Sequence, residues 1–334
     1  MHKVHVFTGT YPGPPGPAAL LRLLEQHVPH SLPLLRRLQF TRFPGGVTEH
    51  TRILFACSSG SGGGPSDGRP VDAQGDDRLA PADGPNSFAA AYVDFSRGPE
   101  TEVWMYSSLE ARGSELADQA VRSYSPSKED TDEEKEEEMK ALELDLAIAV
   151  LREIKVQRDA YDADPNALPR RERVEVLMGT LSERLRLAVV NAAATTTTGV
   201  RGGPTVTFPY VEIYDKWLMR LNGLPEIPAS ALALLTAESG GAGVGEDLLH
   251  WTDVRREDVA MVLSRTSIPR KERTIILLPS MALAKNDGTL VAWAFLGPDS
   301  SLTSLHCEPE YRGKGLAKAV AIKILKEHGE PGRV

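Results

Sequence analysis

The chain has 334 residues, 41% hydrophobic and 25% charged. That is the balance of a soluble globular protein with material for about two domains and no need of disulfides or a structural metal. A formal net charge of -8 argues against a nucleic-acid binder, which carries a basic face. No run approaches the roughly 18 apolar residues of a membrane-spanning helix, and the start lacks the apolar centre of a secretory signal. Cys57 and Cys307 are too few for a disulfide framework and have no metal-ligand spacing, which places the chain in a reducing compartment, the cytoplasm or the nucleus.

Pro17–Val28, with Leu20, Leu21, Leu23, Leu24 and Val28, has helical spacing after a proline-rich start, and Ser31–Gln39 adds a second short amphipathic piece. Thr51–Cys57 reads as a buried strand. The stretch 58–87 is rich in Gly, Ser, Asp and Pro and has too little apolar surface to build core, so it reads as a disordered insertion in a loop. Phe88–Ser96 and Thr101–Leu109 form a predicted antiparallel pair around a turn-like Arg-Gly-Pro-Glu. An acidic run over 125–140 is a second insertion, a solvated helix or tether. It merges into a long apolar-rich helix over Ala141–Gln157.

A further helix is predicted over Glu172–Asn191, a third insertion over 192–205, and an amphipathic helix over Tyr210–Asn222. Ala231–Glu238 reads as a short helix. The domain boundary falls between an N-terminal α/β domain, 1–235, and a C-terminal domain, 247–334. In the latter, a helix starts near Asp253. Strands are expected at Thr274–Leu278, Ala282–Lys285, Leu290–Leu296 and Leu302–Glu308, the second and third joined by an Asp-Gly turn. Ala317–His328 is the last helix, closed by Gly329. Trp104, Trp217, Trp251 and Trp293 read as packing residues.

The junction between the last strand and helix is Pro309-Glu310-Tyr311-Arg312-Gly313-Lys314-Gly315-Leu316-Ala317. Gly313 and Gly315 permit a sharp turn and a close approach to a ligand. The amides of Gly313, Lys314, Gly315, Leu316 and Ala317 lie where a helix start leaves donors unpaired, at the positive end of its dipole, which suits a phosphate. Arg312 and Lys314 add positive charge, and Ala317 is small. Strict alternation puts Ser304, His306 and Glu308 on one face of the strand, and Thr303, Leu305 and Cys307 on the other. Cys307 then reads as a core residue rather than a nucleophile. The glycines of 60–64 lack the Gly-Lys-Ser/Thr of a phosphate loop.

This strand–loop–helix resembles the acetyl-CoA signature of the GNAT superfamily of N-acetyltransferases, met by Arg312, Gly315 and Ala317. Ile268–Arg270, Ala292–Asp299 and Leu305–Ala319 resemble its glycine N-acyltransferase-like branch, in the fungal type with low-complexity insertions. The resemblance implies an α/β fold with a mixed, largely antiparallel sheet and flanking helices, its N-terminal half a diverged GNAT-like unit. It implies acetyl-CoA as acyl donor, no metal, and direct attack by an amine of a small molecule or peptide. The thioester would lie along Leu305, His306 and Cys307, whose backbone amides polarise its carbonyl. His306 and Glu308 are the candidate bases.

In that superfamily the fold continues past this helix with a further strand and helix, whereas here the chain ends five residues after Gly329. The expectation is therefore a C-terminally truncated acyltransferase. Two functions follow: an active N-acyltransferase, or a non-catalytic CoA-binding or interaction module.

Overall fold

The computed structural model describes residues 2–9, 18–58, 87–98, 100–112, 129–169, 175–195, 206–235, 248–268 and 270–329. It divides into two compact units, Met1–Lys216 and Trp217–Val334.

The first unit holds strands β1 (His5–Thr8), β2 (Arg52–Cys57), β3 (Phe88–Val93) and β4 (Val103–Ser107) in one sheet of that order, all antiparallel. Helices α1 (Ala18–Gln26) and α2 (Leu32–Phe40) cover one face, and α3 (Glu129–Asp162) and α4 (Glu183–Thr195) cover the other. Strand alternation supplies both faces. Phe88, Ala90 and Tyr92 pack with Leu20, Leu24, Leu34 and Leu38, while Ala89, Ala91 and Val93 pack with Leu146, Val150 and Ile154. A strand buried on both faces reads as one apolar run, which is why Phe88–Val93 has little polar content.

The second unit repeats the element order. Its sheet is β5 (Leu249–Thr252), β6 (Ser280–Lys285), β7 (Leu290–Leu296) and β8 (Leu302–Cys307), again antiparallel in that order. The short helices α6 (Val259–Ser264) and α7 (Glu272–Ile275) pack on one face against Ala282, Trp293 and Phe295. The other face, with Met281, Leu283, Ala294 and Leu296, packs on α8 (Leu316–His328) through Leu316, Ala319, Val320 and Ile324. A short helix α5 (Ala229–Leu232) joins that second core through Ala231. Each unit therefore runs strand, helix pair, three-strand meander, long helix. This is the mixed α/β architecture of antiparallel sheets with flanking helices expected from the sequence.

Several elements differ from expectation. Thr274–Leu278 is not a strand; Glu272–Ile275 is one helical turn, with Ile275 fully buried. The helix expected over Glu172–Asn191 begins only at Glu183. Before it, Met178 forms a parallel bridge to Val103, and Leu177 O accepts the amides of Glu102 and Val103 at 2.9 and 3.2 Å. Residues 210–220 are not helical, and Ile213 and Trp217 are 79% and 87% exposed. An isolated 13-residue amphipathic segment is marginal as a helix without a packed face, and here its apolar side chains from Tyr210 to Met219 are exposed. Trp217 is accordingly no packing residue.

Of the stretch 125–140, residues 129–140 are helical, the opening turns of α3. Four of the residues expected to form a third insertion, 192–195, close α4. Residues 59–86 and 196–205, the rest of the insertions at 58–87 and 192–205, lie outside the described residues.

Candidate functional site: the β8–α8 loop and the face of β8

The phosphate-type loop is built where β8 ends. Glu308 leads into a single 3-10 turn, Pro309–Tyr311, and the chain reverses through Gly313 and Gly315 at φ 77° and 82°. Both angles lie in the left-handed region that glycine enters without steric cost. Gly315 is the N-cap of α8, and no side chain caps the helix. Among the described residues, the first amides of this 13-residue helix have no intrahelical acceptor, and the N-cap supplies no side-chain one.

A Cβ at 313 would meet nothing within 4 Å; one at 315 would lie 3.1 Å from Pro228 Cβ and 3.2 Å from Ser230 Oγ. The loop surface at Gly313 is open, whereas Gly315 is also a packing glycine.

Positive charge gathers here. Arg312 Nε donates to Cys307 O at 3.0 Å, tying the loop to the strand it follows. Lys314 Nζ lies 5.1 Å from the Tyr311 ring centroid and Lys285 Nζ 5.4 Å from it. Lys285 was not read as part of the site. It sits at the end of β6, and only the sheet brings it to Tyr311. Leu316 is buried in the core, so it offers the loop only its amide, and Ala317 is half-buried.

Strand β8 is irregular. Trp293 pairs with His306 but Phe295 pairs with Thr303, so Ser304 and Leu305 together oppose Ala294. This is a β-bulge, with Ser304 at φ 51°. A bulge leaves one residue unpaired and shifts the alternation by one. The face assignment made from strict alternation is therefore corrected. Thr303 and His306 lie on one face, paired with Phe295 and Trp293, which both pack with α6 and α7. Cys307 lies on the other, against the α8 core. Leu305, at the bulge, is 43% exposed. Among the described residues β8 pairs only with β7, which makes it an edge strand of this sheet.

His306 stacks on Trp293 with ring centroids 4.6 Å apart. Its Nε2 is buried without a hydrogen-bond partner, and Glu308 Oε2 lies 3.6 Å from it. Glu308 Oε1 accepts from Arg265 Nε at 3.0 Å. Partial burial works to raise the Glu308 carboxyl, but Arg265 and His306 outweigh it and hold the group below the usual carboxylate range. Burial pushes the Cys307 thiol up against the opposing pull of Arg312, so the thiol is not activated, in keeping with its reading as a core residue. Thr303 Oγ1 accepts from the Arg270 guanidinium at 2.9 Å.

The structure thus brings His306 and Glu308 together and puts the Cys307 side chain on the opposite face from His306. Arg265 escaped the sequence reading because 43 positions separate it from Glu308 and no local motif contains both.

No cluster of His, Cys, Asp and Glu among the described residues could hold a metal ion. No described helix is long and apolar enough to cross a membrane.

Residues 5–216 match the family described as the acyl-CoA N-acyltransferase verG N-terminal domain. No curated protein sequence matches the chain. Among solved structures, the chain is similar to an X-ray structure of a Drosophila protein from a structural genomics consortium. That similarity is 12% in sequence with a TM-score of 0.42, over 99% of this chain and 87% of that one.

Proposed function

The chain belongs to the family of the acyl-CoA N-acyltransferase verG N-terminal domain, and from that premise we propose that its second unit binds acyl-CoA at the β8–α8 loop and transfers the acyl group to an amine. The observation that carries the reading is the loop itself: two left-handed glycines leading into an uncapped helix N-terminus, at the end of a bulged edge strand. Amides of Gly313 to Ala317 would hold the pyrophosphate, with Lys314 and Lys285 screening its charge. Arg312 acts by holding the loop on Cys307 O.

The bulge at Ser304 and Leu305 frees backbone donors beside the strand edge, where a thioester carbonyl can be polarised as charge develops on it. The amine nitrogen forms the new N–C bond, the C–S bond breaks, and its electron pair leaves on the CoA sulfur. The amine proton passes to the imidazole of His306, whose Nε2 faces Glu308 Oε2 at 3.6 Å. Glu308 compensates the charge of the resulting imidazolium. The donor is acetyl-CoA or a longer acyl-CoA, and the acceptor an amine of a small molecule or peptide.

Calorimetric titration of the full chain with acetyl-CoA, paired with release of free CoA thiol in the presence of an amine panel, tests this. Saturable binding that weakens at least tenfold in Gly313→Val supports the loop. Absence of binding by the folded parent chain sinks the reading. Binding without thiol release by any amine would leave a CoA-binding module instead of an enzyme.

A further inference from the structure

The grip of Arg265 on Glu308 reaches across the sheet face from the end of α6. Arg265 follows the last residue of that helix, and its Nε donates to Glu308 Oε1 at 3.0 Å. This occupies one carboxylate oxygen and leaves the other, Oε2, 3.6 Å from the buried and unpartnered His306 Nε2. Trp293 stacks on the imidazole and restrains its plane. A short step closes Oε2 and Nε2 to hydrogen-bond distance once the imidazole carries a proton. Arg270, from the segment before α7, is committed to Thr303 on the same face. The charged groups facing this pair are therefore Arg265 from the α6 end, Arg270 from the α6–α7 segment, and Glu308 and His306 from β8 and its end.

We propose that Arg265 is a positioning residue: it anchors Glu308 through Oε1 so that Oε2 stays aimed at His306, the proton acceptor of the transfer. This rests on the transferase reading above for its catalytic consequence, but the anchor itself is a property of the chain alone. Arginine suits the task because its planar guanidinium holds the Nε–H in a fixed direction, which the freely rotating ammonium of a lysine does less well.

The test uses the full chain with two variants, Arg265→Gln and Arg265→Lys. Carbon-detected NMR follows the Glu308 side-chain carboxyl through a pH titration, with no acyl transfer needed. The Glu308 transition is expected to move up toward the ordinary carboxylate range in the glutamine variant and to move less in the lysine variant. An unmoved transition in a folded Arg265→Gln protein overturns the anchor.

In the transfer assay, the glutamine variant is expected to lose about tenfold in kcat with KM for acyl-CoA within twofold. A raised KM with unchanged kcat overturns the positioning role and makes Arg265 part of donor binding. An inactive parent chain whose Glu308 still responds to Arg265 overturns the transferase reading while upholding the anchor, so the two failures are distinguishable.

Discussion

Gly313 and Gly315 share a left-handed backbone but differ in surroundings, and that difference sets what their substitution does. Alanine at 313 has open space and suffers only the backbone cost, about 1–2 kcal/mol. Valine at 315 adds contact with Pro228 and Ser230 and lowers stability further. Thermal unfolding of the two variants checks the order, and Gly313 is the better position for probing ligand binding without disturbing packing. A second residue-scale prediction concerns Glu110. Its Oε1 accepts the Ser107 amide, and burial pushes its carboxyl up to about 8 from an ordinary 4.5. A raised acid keeps its proton in the folded state while the unfolded chain has released it. Stability contributed by this group is therefore greatest below about 4.5 and falls as pH rises toward about 8. Chemical denaturation of the parent and of Glu110→Gln at pH 5 and 8 is expected to show a flatter dependence in the variant. Neither property was legible from the residues alone. Left-handed glycines follow from the motif, but what a side chain would meet at Gly315 depends on residues 85 and 87 positions away.

At the scale of elements, the bulge in β8 decides which side chains share a face. Ser304 sits at φ 51°, where a β-branched residue fits badly, so Ser304→Val is expected to destabilise by about 1–2 kcal/mol while Ser304→Gly is tolerated. Melting temperatures of both variants check this. Period-2 reasoning assigns faces correctly along β3, which is regular, and fails along β8, because one extra residue moves every later side chain to the opposite face. The start of α3 shows a similar limit. An acidic run such as 125–140 reads equally as tether or helix, and it is the packed apolar segment after it that settles residues 129–140 as helix. Within that helix Glu143 is fully buried, accepting from Ser87 and Ser108 at 3.3 and 2.7 Å and paired with Arg112. Glu143→Ala removes the shared acceptor and strands a guanidinium, for an expected loss of about 3–5 kcal/mol in chemical denaturation.

At the scale of the molecule, each unit has its own sheet with a core on either face. Two unfolding transitions are therefore expected in calorimetry, and acyl-CoA should raise only that of the second unit. At a hundredfold excess over Kd the shift corresponds to about 2.7 kcal/mol. A single transition moved as one by ligand would contradict this assignment of the site. The family match lies within the first unit, over residues 5–216, and the glycine loop in the second. By itself the sequence determined the strand–loop–helix at 302–328 and the glycine turn whose amides we propose hold a phosphate. These are set by glycine spacing and by the unpaired amides of a helix start, both local to a few consecutive residues. The apolar runs of β2, β3 and β7 were legible for the same reason. Only the tertiary structure decided that His306 shares its face with Thr303, that Glu308 is anchored by Arg265, and that Lys285 reaches Tyr311. Each of these depends on register, or on contacts between segments tens of residues apart, and a one-dimensional pattern carries no record of which distant side chains the sheet will place side by side.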